Sequence, residues 1–293
     1  MKNIFQFLKF INLYNFFLLI ALLNIFFSTE NCAAKTFVIN DVEISTPFEI
    51  NFNKNKIIDQ GFVQAFGQLV AATVKSSDQK KLKKISLQQI KGMIETFSIK
   101  EEKFINETYN LILSVSFNKK NLFKLLENEN IFPSLPIKKN LIFIPIIVDE
   151  DKNEIQMFSE NKLYNIWNSK SKKYELLNYI LPTEDLEDFN LIKRNIKNLE
   201  NYDFDKIVIK YDIQDYIIAI FYNNYDEIKL LSKIKFNNKL KLKNRKLNKF
   251  DTSNEIEINK FIENLKIEYE DFWKSQNEIN TSIKMPLTIS IEN

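Results

Sequence analysis

Carboxylates give this sequence its widest chemical scope, and two acidic runs among them stand out. Asp149-Glu150-Asp151 follows directly on an apolar stretch, and Glu184-Asp185 with Glu187-Asp188 opens a helical pattern. A hard cation such as Mg²⁺ is held by several oxygens that meet at one point. Asp149, Asp151 and Asp185 are the residues that would make such a site, and they would equally serve a carboxylate-dependent hydrolase or a ligand-binding domain. A plainer reading fits the same residues. Residues 149–153 make a polar turn, while Thr183 caps the next helix and Glu184 and Asp185 complement its dipole in the first turn.

The second chemistry-bearing pattern is basic. Residues 227–247 alternate apolar and cationic positions around Asn237-Asn238, which predicts a hairpin. Ile228, Leu230, Ile234 and Phe236 are expected on one face, continued by Leu240 and Leu242 on the return strand. Lys229, Lys233, Lys235, Lys239, Lys241, Lys243 and Arg245 would then form one outward ribbon of cations. Such a ribbon suits anionic lipid headgroups or an acidic partner. Lysines on an exposed strand also deter pairing with another chain, which is the structural explanation of the same pattern.

Absences exclude more than the motifs admit. The chain has no histidine, so histidine-dependent nucleophiles and histidine metal sites are ruled out. Cys32 is the only cysteine, which leaves no internal disulfide and no cysteine–metal cluster. Gly61, Gly67 and Gly92 are isolated, so neither a P-loop nor a dinucleotide fingerprint can be built, and no cofactor is expected. A formal charge of +3 over 293 residues does not point to nucleic acid. The expectation that remains is a non-enzymatic assembly, scaffold or interaction module.

The elements that must position these residues form two groups. Residues 141–148, Leu-Ile-Phe-Ile-Pro-Ile-Ile-Val, read as a strand buried on both faces, with Pro145 requiring an edge or a bulge. Before it, residues 35–130 carry an order β-α-α-β-β-α, with a break at Asn40-Asp41 and a capping box at Ser86-Leu87-Gln88-Gln89. A stiff connection at 131–139 contains Pro133 and Pro136. After it, helical segments are expected near 161–167, 173–180 and 185–199, then a strand at 216–221 and the hairpin. A long helix capped by Thr252 and a last strand at 287–291 close the second group, 140–293. The fold class is therefore α/β in the broad α+β sense: two small mixed-sheet layers with helices packed on them.

Residues 1–34 pair Lys2 and Lys9 with an apolar core from Phe16 to Leu23 and end in Cys32-Ala33-Ala34, as a secretory signal peptide does. The alternative is an uncleaved inner-membrane anchor at 11–27. Either predicts a periplasmic protein with a protein or cell-envelope partner.

Leu181-Pro182-Thr183-Glu184-Asp185-Leu186-Glu187-Asp188 resembles a motif of an uncharacterised bacterial family, domain-of-unknown-function family 2066. That family has a secreted or envelope-anchored N-terminus, a small α/β region, a strand, this turn and a later Arg-Tyr segment. Lys210-Tyr211 stands where the Arg-Tyr would fall, and Gln214 where an acidic residue would. The resemblance implies an envelope protein of unknown activity.

Overall fold

The computed structural model describes residues 36–169, 172, 174–224, 227–247 and 254–279. The expected leader, Thr252 and the expected strand at 287–291 lie outside these residues. Two separate sheets organise the rest in an α+β fold.

The first sheet joins β1 (Thr36–Pro47), β2 (Ile94–Ile105) and β3 (Thr108–Asn118) in the order β1-β3-β2, all antiparallel. Its central strand alternates strictly, burying Tyr109, Leu111, Leu113, Val115 and Phe117. The break at Asn40-Asp41 is a register shift between Ile39 and Val42, with Asp41 at φ 55°. Asn106 and Glu107, both at positive φ, join β2 to β3 by the tight turn that suits strand twist. Helix α1 (Lys54–Thr73), N-capped by Asn53, lays Phe62, Ala65, Phe66 and Leu69 on the buried face. Beside it lie α2 (Ser76–Gln79), α3 (Leu87–Met93) and α4 (Lys119–Asn128). The Ser86–Gln89 capping box of α3 is present in full.

The second sheet contains β4 (Lys139–Asp149), β5 (Glu154–Gln156), β6 (Leu177–Ile180), β7 (Tyr216–Asn223), β8 (Ile228–Phe236) and β9 (Lys239–Leu247). Its order is β5-β4-β7-β8-β9, with β6 also beside β4; β4 runs parallel to β6 and β7, and the other pairs are antiparallel. Leu141 and Phe143 enter one core and Ile142, Ile144, Ile146 and Val148 another, so β4 is buried on both faces. Pro145 sits between the stretches of β4 that pair with β6 and β5, where a missing N–H costs no ladder bond. The side-chain amide of buried Asn161 fills that gap, donating to the Pro145 carbonyl at 3.0 Å.

Helices cover both faces of this sheet. On one face α8 (Glu255–Gln276) packs Ile258, Ile262, Leu265, Tyr269 and Trp273. On the other lie α6 (Leu186–Arg194) and α7 (Asp205–Val208), through Ile192, Ile207 and Val208. The short α5 (Lys162–Ile166) precedes β6. Two expectations are corrected here. Residues 177–180 form a strand, not a helix, because Leu177 and Tyr179 alternate with Asn178 and the segment pairs with β4. Asn254, not Thr252, caps α8, accepting from Ile256 and Glu257 N–H.

The connection at 131–139 is tied at both sides. Ser134 N–H donates to Thr73 O at 2.8 Å, Ile279 N–H to Pro133 O at 2.8 Å, and Ser134 bridges to Glu278. Ala72 of α1 belongs to the core beneath α8.

Gly61 marks the closest approach of α1 to its sheet. A Cβ there would run into Leu113 and lie 2.9 Å from Ile44 Cδ1, whereas nothing lies within 4 Å of one at Gly67. Gly67→Ala should therefore stabilise by about 0.5–1 kcal/mol through helix propensity. Gly61→Ala should instead lose about 1–3 kcal/mol from overpacking, less the same propensity gain. Urea unfolding of the two variants checks that Gly61→Ala is the less stable of the two.

Candidate functional site

Asp149, Asp151 and Asp185 do not make a metal site. No cluster of three or more acidic side chains able to hold a metal occurs among the described residues. Asp149 accepts the Lys152 N–H at 3.0 Å within its own turn, and that bond holds its carboxyl below the usual range. Asp151 is exposed in the same turn. Asp185, not Thr183, is the N-cap of α6: it accepts from Glu187 and Asp188 N–H at 2.8 and 3.2 Å. Those backbone bonds, followed by Lys210, depress its pKa.

The acidic motif and Lys210-Tyr211 nevertheless meet. Lys210 Nζ lies 2.7 Å from buried Asp188 and 3.1 Å from Asp185, and both carboxylates push its pKa up. Tyr211 OH accepts the Thr183 N–H at 2.9 Å, and Tyr164 OH donates to Pro182 O at 2.7 Å. These partners hold the loop that leads from β6 into α6.

The single ribbon of seven cations is also corrected. Phe236 pairs with Lys239 across the two-residue turn, so side-chain parity reverses between the strands. Lys239, Lys241, Lys243 and Arg245 share the α8 face with Ile234 and Leu230, and Lys229, Lys233 and Lys235 share the opposite face with Leu240 and Leu242. Leu240 and Leu242, expected to be buried, are exposed. Lys233 is buried and donates to Glu200 and Tyr202 carbonyls at 2.9 and 2.7 Å; burial lowers its pKa. Lys229 pairs with Glu227, Lys235 with Asp205, and Arg245 with Glu268. Lys243 lies over the Phe272 ring, leaving Lys239 and Lys241 as exposed guards on edge strand β9.

Two other features carry more. At the tip of the first sheet, Phe48, Ile50, Phe104 and Ile105 are exposed together, and Ile50 is fully so. Phe48 stacks edge-on to Phe104 with centroids 4.5 Å apart and contacts Phe52 at 4.7 Å. Its N–H donates to Glu107 O, which folds this loop around the β2–β3 turn.

Under α8 lies a row of buried charges, Lys266, Glu270 and Lys274, four residues apart and hence on one helix face. Glu270 Oε1 accepts Leu176 and Leu177 N–H at 2.9 and 2.7 Å. Burial pushes its pKa up, against the pull of those N–H groups and Lys274. Lys274 donates to Val74 O at 3.2 Å, and Asp271 accepts the Ser76 N–H at 2.9 Å and its hydroxyl. The row borders a cavity of about 150 Å³, whose walls include Ala71, Trp167, Glu175 and Ile262. Sequence reasoning missed this row because its members look like ordinary helix-surface charges. The one available signal was the coincidence of Lys266, Glu270 and Lys274 with the apolar stripe ending in Tyr269 and Trp273.

Compared with known families and curated proteins, the chain matches no family model and no curated sequence. No helix among the described residues is long and apolar enough to cross a membrane.

The raised pKa of Glu270 fixes a sign. Below the ordinary carboxylate range it is protonated in both folded and unfolded chains; as pH rises the unfolded chain ionises first, so stability is lost up to the folded pKa. Glu270→Gln keeps an oxygen for the Leu176 and Leu177 N–H groups but cannot ionise. Its stability relative to wild type should rise from acidic to neutral pH, as read from denaturation midpoints.

Proposed function

We propose that this is an exported cell-envelope protein that acts by binding a partner, as an assembly or scaffold module, and not by catalysis. The leader-like pattern at 1–34 and the resemblance at 181–188 support a periplasmic location, with anchoring by 11–27 as the variant form. Two of the three carboxylates that suggested hydrolysis are engaged locally, Asp149 in its own turn and Asp185 in capping α6 and pairing with Lys210. The observation that carries the reading is the exposed aromatic tip of Phe48, Ile50, Phe104 and Ile105. Grouped exposed apolar side chains mark contact surfaces, whereas single ones are ordinary. A partner with an apolar groove fits this tip better than an anionic surface fits the divided cations of the hairpin.

A photo-crosslinking residue placed at Ile50 in the producing cells should yield one discrete envelope adduct. The same residue at exposed Lys241 should yield none. Ile50→Ser, at a fully exposed side chain, should abolish envelope co-fractionation without moving the unfolding midpoint. Unchanged fractionation would remove the tip from the account, and a cytoplasmic protein retaining Met1 would remove export.

A further inference from the structure

Strand β2 ends the first sheet with an open outer side. Among the described residues no strand pairs with that side and no side chain bonds to its backbone. Asn106 and Glu107 form a two-residue turn, so Ile105 and Thr108 make the first bonded pair and the bonds to β3 alternate from there. Counting back through the bulge at Lys100, the N–H and C=O groups of Phe104, Glu102, Ile99 and Phe97 point away from the sheet. The side chains of Phe97, Ile99 and Phe104 face the core side, opposite buried Val115, Leu113 and Tyr109, yet are 47, 38 and 55% exposed. Helix α1 reaches this flank through Phe62, edge-on to Phe97 at 5.0 Å. Open backbone groups and an uncovered apolar stripe on one strand are a template for an added strand.

We propose that a second copy of this chain pairs its β2 antiparallel to this one, joining the two three-stranded sheets across a two-fold axis. Opposing Phe97 to Phe104 and Ile99 to Glu102 of the copy matches their outward backbone groups, keeps core-side residues on one face and sets bulge against bulge. Lys100 then meets Glu101 of the copy, twice over because the contact is isologous. Asp41 beside Lys100 and Lys103 beside Glu101 extend each pair into a row of alternating charge. A register centred on Ser98 would set Glu95 against Glu101, so like charges oppose it. Bulges and lysines ordinarily protect an edge. A strand without the matching bulge falls out of step after Ile99, so the device that deters other strands selects this one. Phe48 and Ile50 take no part in the ladder, so this pairing and the tip reading can fail separately.

Sedimentation of the protein purified from producing cells should give twice the mass of one chain. Cysteine linking tests the register. Ser98 and Lys103, both exposed, oppose each other across the axis in a pair without hydrogen bonds, where Cα atoms about 4.5 Å apart suit a disulfide. Chains carrying Ser98→Cys mixed with chains carrying Lys103→Cys should form linked dimers on oxidation. Either variant alone should not, which also controls for links through Cys32. Glu101→Lys sets cation against cation and should weaken the dimer about fivefold, the combined scale of two cross-strand charge pairs. A single-chain mass at every concentration, linking by either cysteine variant alone as readily as by the mixture, or an unweakened Glu101→Lys dimer would overturn the proposal.

Discussion

Charge buried under one helix constrains the rest of this molecule. Lys266, Glu270 and Lys274 sit on the covered face of α8, where an ionised side chain is tolerated only with compensating groups at hand. Each takes its partner from a distant segment: Glu175 for Lys266, the Leu176 and Leu177 N–H groups for Glu270, the Val74 carbonyl for Lys274. The position of α8 therefore fixes the start of β6 and the end of α1 together. Asp271 strengthens the same joint by holding Ser76, just beyond α1.

That joint explains the connection between the sheets. Residues 131–139 do not hang free, since Pro133 and Ser134 bond to Ile279 and Thr73 on either side. The Trp273 indole donates to Ile137 O, adding α8 to the same clasp. A cavity lies alongside this joint.

Patterns with one dominant period were legible in the sequence. The strict alternation of β3, the apolar run of β4, the Ser86 capping box and the stripe of α8 all appear where their residues place them. Features decided by tertiary partners were not. Residues 177–180 have apolar positions compatible with either period, and pairing with β4 together with Glu270 selected the strand. Parity across Asn237-Asn238 failed for a local reason: a two-residue turn pairs Phe236 with Lys239, so carrying alternation straight through assigns β9 to the wrong faces. Asp185 took the cap expected of Thr183, whose N–H and hydroxyl are tied to Tyr211. The buried row was hidden because lysine and glutamate are common throughout, and only burial distinguishes Lys266, Glu270 and Lys274 from the rest.

The claim most central to this account is that the charged joint at α8 couples the two sheets into one cooperative structure. Hydrogen exchange in increasing urea measures it directly, by comparing β3 at the centre of the first sheet with β7 at the centre of the second. In the wild type, amides of β3 and β7 should open at the same urea concentration. In Asp271→Ala, where Ser76 loses its acceptor and Lys274 its nearby carboxylate at 3.9 Å, β3 should open first. Separate opening of β3 and β7 in the wild type, or coincident opening in Asp271→Ala, would contradict the account.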